Sequence, residues 1–301
     1  MNPIIIDCHT HLYTPAIIAN VLNIEGLAAY LHLNTRSVGS RTEISVLKKE
    51  TAAAGVCACL LLTVASANGV REANDQFLRI TEGEADLFMA GAIHPAISGI
   101  DEELQKLSRR GVRALKLSSF SQKFDLESEE TNRLFDKIRA YNAAAAAHFF
   151  VILDTFYKAD LFFGAADNFL TTPEKLGKLA AQFPEIDFVA AHMGGLAAPF
   201  REIEDHLAPR NNLYLDTSNA AHILSRKEFL HLLTLHGPER ILFGTDWPWF
   251  GHEEEIAYIR GLLSEAGFCH QEQSRVFSGN ISRLLGIERP TGYRSRQEET
   301  G

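Results

Sequence analysis

The chain has 301 residues, of which 46% are hydrophobic and 22% charged, and its formal net charge is −9. This composition is typical of a globular protein that is long enough to bury a substantial core. The 29 basic side chains are outnumbered by 38 acidic ones and form no cluster, which argues against a nucleic-acid-binding protein because phosphate neutralisation needs clustered Lys and Arg.

Short apolar runs alternate with helix-length amphipathic segments along the chain. Several runs are apolar at every position, as expected of parallel strands that are buried on both faces. In chain order, the predicted strands are residues 4–7, 58–64, 88–93, 112–117, 149–153, 187–191, 213–216 and 241–244. Strands that alternate with helices in this way predict a (β/α)8 TIM-type barrel, with a doubly wound open sheet as the alternative.

Capping signals mark several of the predicted helices. Segments 43–54 and 101–110 each end before a glycine, Gly55 or Gly111, as is typical of helix carboxyl termini. Thr172 followed by proline predicts the start of a helix through residue 183. Ser225 with Glu228 three residues later predicts a capping box.

Two segments, 12–42 after the first strand and 156–171 after the fifth, are longer than a connection requires. In a barrel both would lie at the carboxyl-terminal face, where active sites form. The second is rich in aromatic residues and is interpreted as a lid or substrate wall, with a packed loop or an oligomer contact as the alternative. We predict one domain over residues 1–289 and a flexible tail over 290–301.

The motif DCHTH at residues 7–11 directly follows the first apolar run. Side chains two apart on a strand point the same way, about 6.6 Å apart along it, so His9 and His11 can converge on one ion. Neutral imidazole is the commonest nitrogen ligand of Zn²⁺ and similar metals. The motif therefore predicts a divalent metal site, with a hydrogen-bonded structural pair as the alternative.

Ionisable residues also stand where five later apolar runs end. These are Lys116, Asp154, His192, Asp216 and Asp246. Since the carboxyl ends of the strands meet at one rim of a barrel, these side chains are expected to surround a single cavity.

These motifs resemble the amidohydrolase superfamily, specifically its amidohydrolase-related branch of aminocarboxymuconate-semialdehyde and resorcylate-type decarboxylases and lactone hydrolases. The resemblance extends from residue 4 to about residue 287. It is strongest in DCHTH (7–11), FVAAHMGG (188–195) and RILFGTDWP (240–248), and GNISRLL (279–285) resembles the final helix of the family.

The resemblance implies a mononuclear divalent metal, with Zn²⁺ as the first expectation. His9, His11 and Asp246 match metal ligands, and Asp246 either binds the ion or orients and deprotonates its water. His192 matches a residue described as a ligand or as the acid–base group. Structural alternatives are a core histidine for His192 and an Asx turn for Asp246.

One position departs from the family pattern. The family histidine at the end of strand five is replaced by Asp154. As a ligand, Asp154 would give two histidines and two carboxylates, which favours Mn²⁺ or Mg²⁺. Alternatively, Asp154 binds substrate, or the metal is lost and the fold works without it.

Three further residues have expected supporting roles. Lys116 is interpreted as binding a substrate carboxylate, with a salt bridge in the barrel mouth as the alternative. Asp216 is expected to cap a turn or to hydrogen-bond a ligand, and Asp7 to orient a histidine.

The favoured function is a metal-dependent hydrolase that activates water to attack an ester or lactone. The alternatives are a non-oxidative decarboxylase of an aromatic or muconic-type acid and a catalytically silent ligand-binding relative. No secretory signal or membrane span is recognised in the sequence, so we expect a cytoplasmic protein. We expect the protein to bind a small-molecule substrate, and neither nucleic acid nor a membrane. Association with a second copy of the chain is left open.

Overall fold

The computed structural model describes residues 4–145 and 148–287, so the tail predicted for residues 290–301 lies outside the described residues. Eight parallel strands follow one another around the sheet in chain order. They are β1 (Ile6–Thr10), β2 (Ala58–Leu62), β3 (Leu87–Ala92), β4 (Ala114–Leu117), β5 (Phe150–Leu153), β6 (Phe188–Ala190), β7 (Leu213–Asp216) and β8 (Ile241–Leu242). The TIM-type barrel is confirmed, and the doubly wound alternative is wrong because the strand order never reverses.

The barrel closes through backbone hydrogen bonds between β1 and the segment that follows β8. The amide of Cys8 donates to the carbonyl of Phe243 at 2.9 Å, and that of His11 donates to Trp247 at 2.7 Å. In the other direction, the amide of Asp246 donates to the carbonyl of His9 at 2.9 Å. Closure therefore brings the two motifs from opposite ends of the chain together.

Helices surround the barrel and fill its longer connections. They are α1 (Pro15–Leu22), α2 (Leu27–Tyr30), α3 (Ile44–Ala54), α4 (Val70–Thr81), α5 (Ile100–Arg109), α6 (Ser119–Gln122), α7 (Glu129–Ala144), α8 (Ala159–Phe163), α9 (Pro173–Gln182), α10 (Phe200–His206), α11 (Ala220–Ile223), α12 (Arg226–His236), α13 (His252–Glu265), α14 (His270–Ser274) and α15 (Asn280–Leu285). The caps behave as expected: Thr172 caps α9, and Ser225 forms a capping box with Glu228 at α12. None of the helices in the described ranges is long and apolar enough to cross a membrane.

Two apolar layers hold this architecture together. Side chains such as Ile6, Leu60 and Phe150 fill the barrel interior, and a larger cluster packs the outer strand faces against the helices. Leu284 and Leu285 of α15 belong to the interior cluster. Since α15 lies against the amino ends of the strands, it closes that end, and the opposite end is left for the site.

The two long segments contain helices rather than continuous loops. Residues 12–42 hold α1 and α2, and residues 156–171 hold α8. Leu27 from the first segment and Phe156 from the second pack in one cluster with Trp249, over the carboxyl ends of the strands. This cluster forms the roof of the site.

Candidate active site

Three predicted ligands converge at the carboxyl end of the barrel. The Nε2 atoms of His9 and His11 are 3.1 Å apart. Asp246 Oδ1 lies 3.7 Å from His9 Nε2 and 3.5 Å from His11 Nε2. Two ligand atoms about 2.1 Å from one ion at a tetrahedral angle are about 3.4 Å apart. The three side chains therefore fit a shared divalent ion.

The part of β1 that carries both histidines is irregular. The pairing of β1 with β2 shifts register between Asp7 and Thr10, and the hydroxyl of Thr10 donates to the carbonyl of Leu60 at 2.8 Å. The strand begins at Ile6 and runs through Thr10, so His9 lies within it rather than after it as the sequence suggested. An irregularity of this kind re-aims side chains beside a site.

Asp7 joins β1 to the segment that carries Asp246. Its Oδ1 accepts hydrogen bonds from the amides of His9 at 2.9 Å and Thr245 at 3.1 Å. His252 Nε2 lies 3.2 Å from its Oδ2. Asp7 therefore orients the backbone of His9 rather than a metal-binding imidazole.

Asp216 fixes the orientation of His9. Its Oδ2 lies 2.9 Å from His9 Nδ1, and its Oδ1 accepts from the backbone amide of His192 at 3.0 Å. Burial acts to raise the pKa of Asp216, but its pairing with His9 holds that pKa well below its usual value. An ionised carboxylate only accepts, so His9 Nδ1 carries the proton and Nε2 is free to bind a metal.

His192 is held in a similar way by the turn after β7. Its Nδ1 donates to the carbonyl of Ser218 at 2.8 Å, and its backbone is left-handed at φ 55°. Nε2 is therefore the unprotonated ring nitrogen. Burial, reinforced by the neighbouring His9, lowers the pKa of His192 to about 4, so the imidazole is neutral near pH 7.

Asp246 is the most strongly perturbed acid of the site. Burial raises its pKa to about 7, an effect that His9 opposes and the carboxylates of Asp154 and Asp216 reinforce. Its φ of 63° is uncommon for a non-glycine residue, and such conformations concentrate at functional sites.

A cavity of about 110 Å³ opens above these groups. Its polar wall consists of His11, Asp154, His192, Asn219 and Asp246. Its apolar wall consists of Tyr13, Val21, Leu27, Leu31, Leu33, Phe120, Phe156, Phe163, Leu196 and Trp249. The aromatic segment after β5 thus contributes to the wall of the cavity, as one of its two interpretations expected.

Asp154 borders this cavity without joining the three-ligand group. That group has all its ligand atoms within 4.8 Å of one another and consists of His9, His11 and Asp246. Asp154 Oδ1 accepts from the amide of Phe156 at 3.1 Å. Metal binding by Asp154 and by His192, which also lines the cavity, stays a prediction.

Lys116 lies inside the barrel and is not among the cavity-lining residues. Its side chain is 0% exposed, and its Nζ has no hydrogen-bond partner among the described residues. The salt bridge that was its alternative role is not found within residues 4–145 and 148–287. Its predicted contact with a substrate carboxylate gains no support from this position.

Three contributors to the site carried no role in the sequence reading: Tyr13, Ser218 and Asn219. Tyr13 stacks on His11 with ring centroids 4.7 Å apart, and Asn219 lines the cavity. Ser218 and Asn219 follow the end of β7, so their position at a strand end was the available signal. His222, which also follows β7, is not among the lining residues, and its Nε2 lies 2.7 Å from Glu255 Oε1.

A family model for amidohydrolases matches residues 6–287. The chain belongs to the amidohydrolase family. This match confirms the resemblance that the motifs at residues 7–11, 188–195 and 240–248 suggested. A search of curated proteins found no match.

Solved structures share the fold of this amidohydrolase at low sequence identity. An uncharacterised TIM-barrel protein from Bordetella bronchiseptica is 19% identical, with a TM-score of 0.73 over 94% of this chain and 98% of the other. A dihydroxybenzoic acid decarboxylase from Polaromonas sp. JS666, solved with manganese and 2-nitroresorcinol, is 14% identical, with a TM-score of 0.68 over 95% and 98%. A probable 2-pyrone-4,6-dicarboxylic acid hydrolase from Acinetobacter baumannii is 16% identical, with a TM-score of 0.61 over 95% and 100%.

Proposed function

We propose that this amidohydrolase is a metal-dependent hydrolase that cleaves an ester, a lactone or a similar carbonyl compound. The observation that carries the proposal is the convergence of His9 Nε2, His11 Nε2 and Asp246 Oδ1 within 3.7 Å of one another, with His11 and Asp246 on the wall of the cavity. Zn²⁺ suits two imidazoles and a carboxylate. Mn²⁺ is the first alternative, since the similar Polaromonas decarboxylase was solved with manganese, and Mg²⁺ is the second.

A divalent ion at these three residues would polarise the substrate carbonyl and lower the pKa of bound water toward about 7. His9 is prepared for this role because Asp216 holds its Nδ1 proton and leaves Nε2 unprotonated. His192 presents a neutral imidazole whose free Nε2 can take a proton from water and return it to the leaving group. Asp246, whose Oδ1 lies 3.5 Å from His11 Nε2, is the second candidate for this proton.

A decarboxylase is the second candidate function, and its support is the structural similarity to the Polaromonas dihydroxybenzoic acid decarboxylase. We favour hydrolysis because none of the described residues that line the cavity is Lys or Arg. A decarboxylase needs to bind a carboxylate, and a cation other than the metal would assist that binding. The small-molecule substrate and the absence of nucleic-acid and membrane partners belong to the same proposal, as does a cytoplasmic location.

The test combines metal analysis with activity. Wild-type protein purified without chelators is expected to hold about one divalent ion per chain and to release acid from lactones. His192→Asn should keep that metal and lose about 100-fold or more in kcat, because it loses the proton acceptor. His9→Ala should lose the metal itself. His222→Asn, outside the cavity, is the matched control and should behave like the wild type.

Three results would contradict the proposal. Release of CO2 from aromatic acids, without lactone cleavage, would favour the decarboxylase. Full activity of His192→Asn would remove this residue from the mechanism. Protein that binds less than stoichiometric metal, even with added Zn²⁺ or Mn²⁺, and cleaves nothing would favour the silent ligand-binding relative.

A further inference from the structure

Asn219 carries a buried amide that makes no hydrogen bond within the described part of the chain. It is 1% exposed, and both Oδ1 and Nδ2 lack a hydrogen-bond partner among the described residues. Asn219 occupies the N-cap position of α11, yet its side chain makes no capping hydrogen bond. An unsatisfied buried amide costs free energy, so its retention on the cavity wall indicates a partner that enters the cavity.

None of the described residues that line the cavity is Lys or Arg, the side chains that would pair with an anionic substrate. The two imidazoles of the cavity wall, those of His11 and His192, each belong to a group of side chains that could hold a metal ion, and a metal-binding imidazole is neutral. The remaining titratable polar groups, Asp154 and Asp246, are acidic. A carboxylate on the substrate, away from the metal, would therefore meet two acidic side chains and no Lys or Arg among the described lining residues, which is unfavourable.

The apolar wall of the cavity suits the ring of a small molecule. Leu27, Leu31 and Leu33 come from the segment after β1, and Phe156 and Trp249 from segments after β5 and β8. Apolar and aromatic walls with a few convergent polar groups are typical of sites that bind and orient small molecules.

We propose that this cavity selects an uncharged, ring-bearing carbonyl substrate and that the Asn219 carboxamide orients the substrate by hydrogen bonds to its oxygen atoms. The substrate class is thus an uncharged lactone or aryl ester rather than a carboxylated one. This inference rests on the proposed function for the reaction, but binding selectivity can be measured without any turnover. Asn219 is a specificity-determining residue in this scheme.

The experiment compares two probes that differ only in charge. Binding of 3,4-dihydroquinolin-2-one, an uncharged cyclic amide, and of its 6-carboxylate is measured by calorimetry on Zn²⁺-loaded protein near pH 7.5. The uncharged probe is expected to bind at least about tenfold more tightly. Asn219→Ala should weaken its binding about five- to tenfold, the usual effect of losing one hydrogen bond, with unchanged metal content.

A second variant keeps the inference testable if Asn219→Ala does not fold. Phe163 lines the cavity and is 43% exposed, so Phe163→Arg adds a cation at a partly exposed position of the cavity wall. It should improve binding of the carboxylate probe about fivefold or more. Leu161→Arg, on the same helix, 68% exposed and outside the lining, should leave binding of both probes unchanged.

Each contrary result has a definite meaning. Failure of wild-type protein to bind either probe, or equal or tighter binding of the carboxylate, overturns the proposed substrate class. If Asn219→Ala binds the uncharged probe as tightly as the wild type, Asn219 does not orient the substrate. If Phe163→Arg does not bind the carboxylate probe more tightly than the wild type, the absence of a cation in the lining does not set the selectivity. Hydrolysis of 3,4-dihydrocoumarin is assayed separately, so selective binding without hydrolysis would reject the reaction and keep the selectivity.

Discussion

At the scale of single residues, the site depends on which nitrogen of His9 carries the proton. The Asp216 carboxylate, 2.9 Å from Nδ1, determines this tautomer and directs Nε2 toward His11 and Asp246. Asp216 also accepts from the amides of His192 and Ser218. One buried acid therefore positions two histidines from different strands, which explains why it lies at the end of β7 without lining the cavity.

Replacement of this acid should weaken the metal site without destroying the fold. Asp216→Asn keeps the shape of the side chain but replaces the ionised acceptor, so the tautomer of His9 is no longer enforced. We expect metal affinity to fall about 10- to 100-fold, the usual cost of losing a carboxylate that supports a metal-binding histidine. Competition with a chromophoric chelator measures this change.

The matched control is Asp205→Asn, which changes an exposed acid on α10. It should leave metal affinity as in the wild type. An Asp216→Asn protein that binds Zn²⁺ as tightly as the wild type would show that the hydrogen bond to His9 does not set the affinity.

At the scale of elements, helix packing depends on a few positions where backbones touch. Gly177 lies within α9, and a Cβ atom placed there would be 2.3 Å from the carbonyl oxygen of His206 at the end of α10. Gly261 lies within α13, where such an atom would have no neighbour within 4 Å among residues 4–145 and 148–287. The two glycines therefore have the same secondary structure and opposite surroundings.

These surroundings predict opposite effects of the same substitution. Gly261→Ala should raise the free energy of unfolding by up to about 1 kcal/mol, because alanine is the better helix former. Gly177→Ala should lower it by about 1–3 kcal/mol, because α9 and α10 must move apart. Denaturant titration of the two variants measures their free energies of unfolding. If both substitutions stabilise the protein, α9 and α10 can move apart without a loss of stability, which would contradict the prediction.

At the scale of the whole molecule, burial of histidines makes stability depend on pH. His236 is 1% exposed, and neither ring nitrogen has a hydrogen-bond partner among the described residues. Burial lowers its pKa from 6.5 to about 4, and the charge of Arg240 adds to this effect. Between about pH 6.5 and 4, His236 is therefore protonated in the unfolded state but mostly neutral in the folded state.

The sign of the effect follows from proton binding. Above about pH 6.5 both states are neutral at this residue, so it contributes nothing to the pH dependence of stability. Between about pH 6.5 and 4 the unfolded state binds a proton that the folded state does not. The free energy of unfolding therefore decreases as the pH is lowered through this range. The total loss is about 3 kcal/mol, since each pKa unit corresponds to about 1.4 kcal/mol.

Comparison with His236→Leu isolates this residue from the other titrating groups. The wild type should lose about 3 kcal/mol more than the variant between pH 7 and pH 4 in denaturant titrations. If the free energies of unfolding of the two proteins change in parallel with pH, His236 is protonated as readily in the folded state as in the unfolded state, which would contradict the prediction.

Much of the architecture was predictable because the signals are local. Apolar runs of strand length, the cap at Thr172 and the capping box at Ser225 depend on residues a few positions apart, so the sequence alone predicted the barrel and several helix starts. The pair of histidines at residues 9 and 11 depends on the period of a strand, which is also local. The family resemblance added Asp246 to this pair.

By itself, the sequence determined the fold class, the family and the candidate metal ligands, because periodicity, capping and short motifs act over neighbouring residues. Only the tertiary structure decided that His11 and Asp246 lie 3.5 Å apart, that Lys116 is sealed within the barrel, and that Asn219 borders the cavity. These outcomes depend on barrel closure and on the direction of each side chain at a strand end. A register shift of one residue reverses that direction, and pairing between distant strands sets the register.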